Sequence, residues 1–186
     1  MSLEWNLHYD RWVIEDGEPE LEVGDQFDCL QVQCWSDNAL IPVNSGQGTS
    51  AEPIADFKYR VNAKVIYVSE EASVIDMGIA AIGACELLLP ECKNGDFVTG
   101  EIGVGCGLPR WTEHVPDDVL FEVKRTWRVN RISADLTPYI PRPDNSRWLE
   151  RDNSRVHYEE VRATHSVKAN SYILHCIQLW PEWSIV

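Results

Sequence analysis

Phe57-Lys-Tyr-Arg-Val-Asn-Ala-Lys-Val-Ile-Tyr67 places Phe57, Tyr59, Val61, Ala63, Val65 and Tyr67 at alternate positions, with Lys58, Arg60, Asn62 and Lys64 between them. A period of two belongs to a β-strand with one face on a core and one in water, so the segment predicts a long half-buried strand. Weaker alternation recurs over residues 3–9 and 121–129, and Ser171–Leu179 is an apolar run of strand length rich in strand-favouring residues. The chain therefore reads as mainly β.

Downstream of the long strand, Val74, Ile75, Ile79, Ile82 and Leu89 can be drawn on a helical face. Gly78 and Gly83, however, would each cost about 1 kcal/mol in a helix interior. Two short strands bent at Gly78 are expected instead, one at Ser73–Met77 and one from Ile79 toward Leu89, with a further strand over Asp96–Val104. The order long strand, Val-Ile-Asp-Met-Gly78, Pro90, then Asn94-Gly-Asp-Phe-Val98 leading into a strand resembles the first four strands of an OB-fold barrel. Over residues 57–106 the resemblance implies a small antiparallel barrel, with glycines where strands bend sharply. The whole chain, 1–186, is expected to be one domain in which extra strands and short helical turns surround that barrel core.

Breakers organise the rest. Pro42–Gly48 reads as a loop, Lys93-Asn-Gly95 as a turn, and residues 137–155 as an irregular Pro/Arg-rich connection. Asp144-Asn-Ser-Arg147 recurs as Asp152-Asn-Ser-Arg155, which suggests two Asx-type turns flanking one helical turn at Arg147–Arg151.

The net charge is −14, from 30 acidic and 16 basic residues, and it is unevenly spread. Residues 1–30 carry nine acids and one base, residues 31–110 ten and five, and residues 111–186 eleven and ten. Such acidity argues against a general polyanion binder, since counterion release needs clustered bases. No run of 18 apolar residues and no signal-type start is present, so the cytoplasm is the expected compartment. Cysteines 29, 34, 85, 92, 106 and 176 contain no Cys-x-x-Cys pair, and they are expected as reduced buried thiols, with neither a zinc site nor a cofactor implied.

Candidate chemistry is sparse. Glycines 100, 103, 105 and 107 lack the spacing of a phosphate loop and suit a strand with close backbone approach or a bulge. His114, beside Glu113, Asp117 and Asp118, is the densest place for acid–base chemistry and the basis of a hydrolase alternative; the plainer reading is a solvated loop. Nucleophile motifs are missing, and His175 next to Cys176 is no dyad, because neighbours on a strand point to opposite faces.

Arginine and tryptophan interleave over residues 124–155, where Arg125, Trp127, Arg128, Trp148 and Arg151 could stack and neutralise single-stranded nucleic acid. Continuous alternation would put Arg131 on the apolar face with Trp127 and Val129, and the acid-rich first thirty residues are the expected partners for these arginines. Most of the eight tryptophans should lie in the core, and the Trp180-Pro-Glu-Trp183 tail should dock back onto the fold. Glu15, Asp16, Glu18, Glu20 and Glu22 form the densest acidic run. They support the leading expectation, a non-catalytic module of inhibitor or immunity type that meets a basic protein partner through an acidic surface.

Overall fold

The computed structural model describes residues 4–29, 31–44, 48–107, 112–145 and 147–179. In chain order its elements are β1 (Glu4–Asp10), α1 (Arg11–Glu15), β2 (Gln26–Cys29), β3 (Val32–Trp35), β4 (Ile41–Val43), β5 (Ser50–Ala55), β6 (Lys58–Val68), β7 (Ala72–Asp76) and β8 (Ala80–Ala84). Then follow β9 (Phe97–Cys106), α2 (Asp117–Val123), β10 (Arg125–Asp135), β11 (Tyr139–Pro141), β12 (Leu149–Arg151), β13 (Tyr158–Val161) and β14 (Ser171–Leu179). The alternation of residues 57–67 is realised in β6, where Tyr59, Val61, Ala63 and Val65 are buried and Lys58, Arg60 and Lys64 face water.

Strand β6 pairs with β7 on one edge and β9 on the other, β7 with β8, β8 with β3, and β3 with β9. The ring β6-β7-β8-β3-β9 thus closes into a five-stranded barrel, antiparallel throughout except for the parallel β3–β8 contact. Residues 57–106 supply four of its strands, as the OB-like reading expects. The fifth, β3, enters from upstream, which makes the sheet mixed rather than purely antiparallel.

The 72–89 region looked ambiguous because both its faces are covered. Ile75 and Ala81 join the main core, while Val74 and Ile82 pack in a second cluster with Val119, Leu120 and Val123 of α2. A strand buried on two sides loses its polar alternation and reads as a continuous apolar run. Gly78 makes the bend at φ +104°, and the second strand ends at Ala84 in a 3-10 turn, short of the expected Leu89.

Strand β9 also belongs to a second set of strands. Its end pairs in parallel with β1, β1 pairs with β14, and β14 with β10, whose far edge takes β2 and then β13. Trp5, Leu7, Tyr9, Trp127, Val129, Ile132, Leu174 and Cys176 are buried on one face of this sheet. Glycine makes the junction close: a Cβ at Gly105 would sit 2.7 Å from the His8 carbonyl oxygen, and one at Gly103 would sit 2.5 Å from the Trp35 indole. Among the described residues no helix is long and apolar enough to cross a membrane.

Three expectations are corrected. Residues 121–123 finish α2, and the strand starts only at Arg125, because the apolar Val119, Leu120 and Val123 close over β7 and β8. A bulge at Asn130 interrupts the β10–β14 register, so Arg131 is exposed rather than facing inward with Trp127 and Val129. Residues 147–151 do not form a helical turn; β12 pairs with β11 in a two-stranded ribbon inside what reads as an irregular connection. The second Asp-Asn-Ser-Arg copy is an Asx turn as expected, with Asp152 accepting from the Ser154 amide and hydroxyl and from Arg155.

Gly105→Ala would push a methyl group into the β1 backbone, which cannot rotate away as a side chain can. The expected result is a loss of about 1–3 kcal/mol in chemical denaturation, as for other overpacking substitutions. A variant as stable as the wild type would show that β1 and β9 are not held this close.

Candidate functional site

The acidic run is a shaped edge rather than a loose tail. Val13 just before it and Leu21 within it are buried, the Tyr9 hydroxyl donates to the Pro19 carbonyl, and Leu21 pairs with Thr164 through amide, carbonyl and hydroxyl. Glu15, Asp16, Glu20 and Glu22 are exposed and Glu18 is half-buried, which pushes the Glu18 carboxyl up from its ordinary pKa. Arg11 reaches Glu15 at 3.3 Å and His165 reaches Glu20 at 3.7 Å. Among the described residues no ion pair engages Asp16, Glu18 or Glu22.

The arginines find their partners locally instead of in the first thirty residues. Arg151 pairs with Asp135 at 2.9 Å, Arg155 with Asp152 at 2.6 Å, Arg142 with Asp144 at 2.8 Å and Arg125 with Glu122 at 3.9 Å. The five residues of the nucleic-acid reading do not share a face. Trp127 is fully buried and offers no ring to a base, Trp148 stands 66% exposed on the ribbon, Arg128 is exposed on β10, and Arg125 is half-buried. Arg151 turns inward: its Nε donates to Asp135, Nη1 to Asn153 and Nη2 to the Tyr158 hydroxyl. Of the five described tryptophans only Trp5 and Trp127 are core residues, whereas Trp12, Trp35 and Trp148 are exposed. The Trp180–Trp183 tail and Trp111 lie outside the described residues.

His114 is engaged by Glu71 at 3.1 Å and Glu113 at 3.4 Å. Asp117 and Asp118 occupy the first turn of α2, where negative charge complements the helix dipole. The hydrolase constellation is therefore divided between a surface ion pair and a helix start. Among the described residues no group of three or more His, Cys, Asp or Glu side chains could hold a metal ion. All six cysteines are free thiols, and burial raises Cys34 to about 12.

The densest polar assembly was not singled out in the sequence. On the outer face of the second sheet, Asp135 accepts from Arg151, Arg151 donates to Tyr158, and the Tyr158 hydroxyl donates to Asp56 Oδ2 at 2.7 Å. Asp56 holds φ +35° in the β5–β6 turn, and its carbonyl accepts from Asn6 Nδ2 at 2.7 Å. Asn6 Oδ1 lies 2.7 Å from His175 Nδ1, with Arg131 Nη2 3.0 Å from the same nitrogen and Ser133 Oγ 3.1 Å from Nε2. One chain of contacts thus ties the barrel's turn to β1, β10, β13 and β14.

Beside it, three rings meet. His8 and Phe57 have centroids 4.5 Å apart, Trp35 and Phe57 5.7 Å, and His8 and Trp35 5.9 Å. His8 Nδ1 is 3.7 Å from Asp10 Oδ2, and Asp135 and Arg151 act on its charge. The available signal was parity: Glu4, Asn6, His8 and Asp10 fall on the polar side of the first strand, but only folding brings Trp35 and Phe57 to them.

No protein-family model, no curated protein and no solved structure matches this chain. Its class is thus set by its own architecture, a mainly β protein built on a closed five-stranded barrel.

Burial lowers the pKa of both His8 and His175, and Arg131 adds to the effect at His175, while Glu4 and Glu160 oppose it. A histidine whose folded pKa is depressed contributes stability that is complete above its unfolded pKa, about 6.5, and is lost as pH falls toward the folded value. The denaturant midpoint should therefore drop between about pH 7 and pH 5, and drop less in His175→Gln. An equal drop in both proteins would exclude His175 as the source.

Proposed function

We propose that this protein is a non-catalytic binding module of inhibitor or immunity type, which meets a basic protein partner through the edge formed by Glu15, Asp16, Glu18, Glu20 and Glu22. The observation that carries the reading is the anchoring of that edge. Buried Val13 and Leu21 and the pairing with Thr164 fix the backbone, so the carboxylates need little ordering when a partner arrives. Four of the five are exposed, and intramolecular ion pairs reach only Glu15 and Glu20 among the described residues. A fixed negative surface on a chain of net charge −14 steers a basic partner and repels nucleic acid. The burial of Trp127 and the inward commitment of Arg151 also favour this reading over a single-stranded nucleic-acid platform.

The test compares wild type with a variant in which all five residues become Gln or Asn, using a partner first trapped by crosslinking to the intact chain. At low ionic strength, where the Debye length is about 30 Å, the association rate should fall roughly tenfold or more in the variant. The two rates should converge at high salt. Equal on-rates at low salt would remove the acidic edge from recognition.

A further inference from the structure

The rings of His8, Trp35 and Phe57 come from β1, from the end of β3 and from the residue after the β5–β6 turn. Their planes are inclined to one another by 45–70°, so they form a corner instead of a stack. Trp35 is seated on the bare backbone of Gly103 and Gly105, yet it remains 39% exposed. A cluster serving only as a hydrophobic plug would bury its largest ring.

The surroundings select the sign of a ligand. Asp10 lies on the same side of β1 as His8, with its carboxylate 3.7 Å from the imidazole, and Asp56 directly precedes Phe57. Burial keeps His8 neutral at neutral pH, so the imidazole does not repel a cation. Of the bases nearby, Arg11 is paired with Glu15 at 3.3 Å, Arg151 is held by Asp135, Asn153 and Tyr158, and Lys58 faces Gly103 from the strand opposite Trp35. An electron-rich ring face beside a carboxylate attracts an organic cation.

We infer that the His8–Trp35–Phe57 corner, with Asp10, receives a cationic side chain of the partner protein, an arginine in preference to a lysine. A guanidinium can lie flat on the indole and still direct N–H groups to a carboxylate, which a hydrated ammonium does less well. The inference rests on the acidic-edge reading and extends it. Asp10 leads directly into α1, which ends at Glu15 with Asp16 following, so the ring corner and the acidic edge are joined through one five-residue helix. The edge supplies attraction at a distance, and the corner supplies an anchor.

The experiment titrates the full chain with capped Gly-Arg-Gly, Gly-Lys-Gly and Gly-citrulline-Gly peptides and with a short thymidine oligonucleotide. The readout is the Trp35 indole N–H resonance, assigned by its absence in Trp35→Phe. The arginine peptide should shift this resonance at about millimolar concentration, the lysine peptide should bind several-fold more weakly, and citrulline and the oligonucleotide should leave it in place. Asp10→Asn, which retains the rings and is read on the same resonance, should weaken the arginine peptide about tenfold. Trp35→Ala should do the same by calorimetry. Failure of the arginine peptide to move the resonance, equal binding by citrulline, or binding of the oligonucleotide at Trp35 would each overturn the inference.

The two readings separate in the edge-neutralised variant. If that variant meets the partner as fast as wild type while the arginine peptide still shifts Trp35, the acidic-edge reading fails and the corner stands. If the peptide binds Trp35→Ala undiminished but no longer binds the edge variant, the edge stands and the corner falls.

Discussion

Strand β9 is the constraint on which the rest depends. It is the only described strand hydrogen-bonded to β6, β4, β3 and β1, so the barrel and the second sheet meet along its backbone. Side chains at 100, 103 and 105 would occupy space already taken by Leu40, by the Trp35 indole and by the His8 carbonyl. Glycine is therefore required by approach rather than by dihedral angle, and none of these three adopts a positive φ. Without that clearance β1 could not pair with β9, and the polar and aromatic side chains at the junction would not meet.

Pairing β1 to β9 has a second effect. It aligns the polar side of β1 with residues of the barrel's outer face, and the Asp56 turn closes over them through Asn6 and Tyr158. Asp135 is buried and needs partners, because an unmet buried donor or acceptor costs more than a made hydrogen bond contributes. The Asp135–Arg151–Tyr158–Asp56 chain meets that requirement without a continuous apolar interface. Arg125, Arg142, Arg151 and Arg155 are thus committed to carboxylates of their own chain, and the surfaces proposed for a partner are the acidic edge and the ring corner.

Correct and incorrect readings of the sequence divide by the range of the interactions that decide them. The alternation of β6, the bend at Gly78 and the Asx turn at Asp152 follow from neighbours a few residues away, and each was legible. Arg131 faces outward, against its sequence parity, because a bulge at Asn130 shifts the register, and a bulge is set by what lies across the strand. Residues 121–123 looked like a strand because only packing over β7 and β8 makes a helix of them. The 147–151 segment pairs with Tyr139–Pro141 and so escaped any reading of its own residues.

The sequence by itself determined that the protein is mainly β, that residues 57–106 carry four barrel strands, that Gly105 marks a close backbone approach, and that negative charge concentrates in the first thirty residues. These follow from the two-residue period of a strand, from glycine's missing side chain and from counting charges. Tertiary structure alone decided that β3 closes the barrel, that Trp127 is buried while Trp35 is exposed, and that His8, Trp35 and Phe57 converge. The physical reason is that a strand's partners, and hence what its outward face will meet, are chosen by pairing between segments tens of residues apart, for which no local pattern exists.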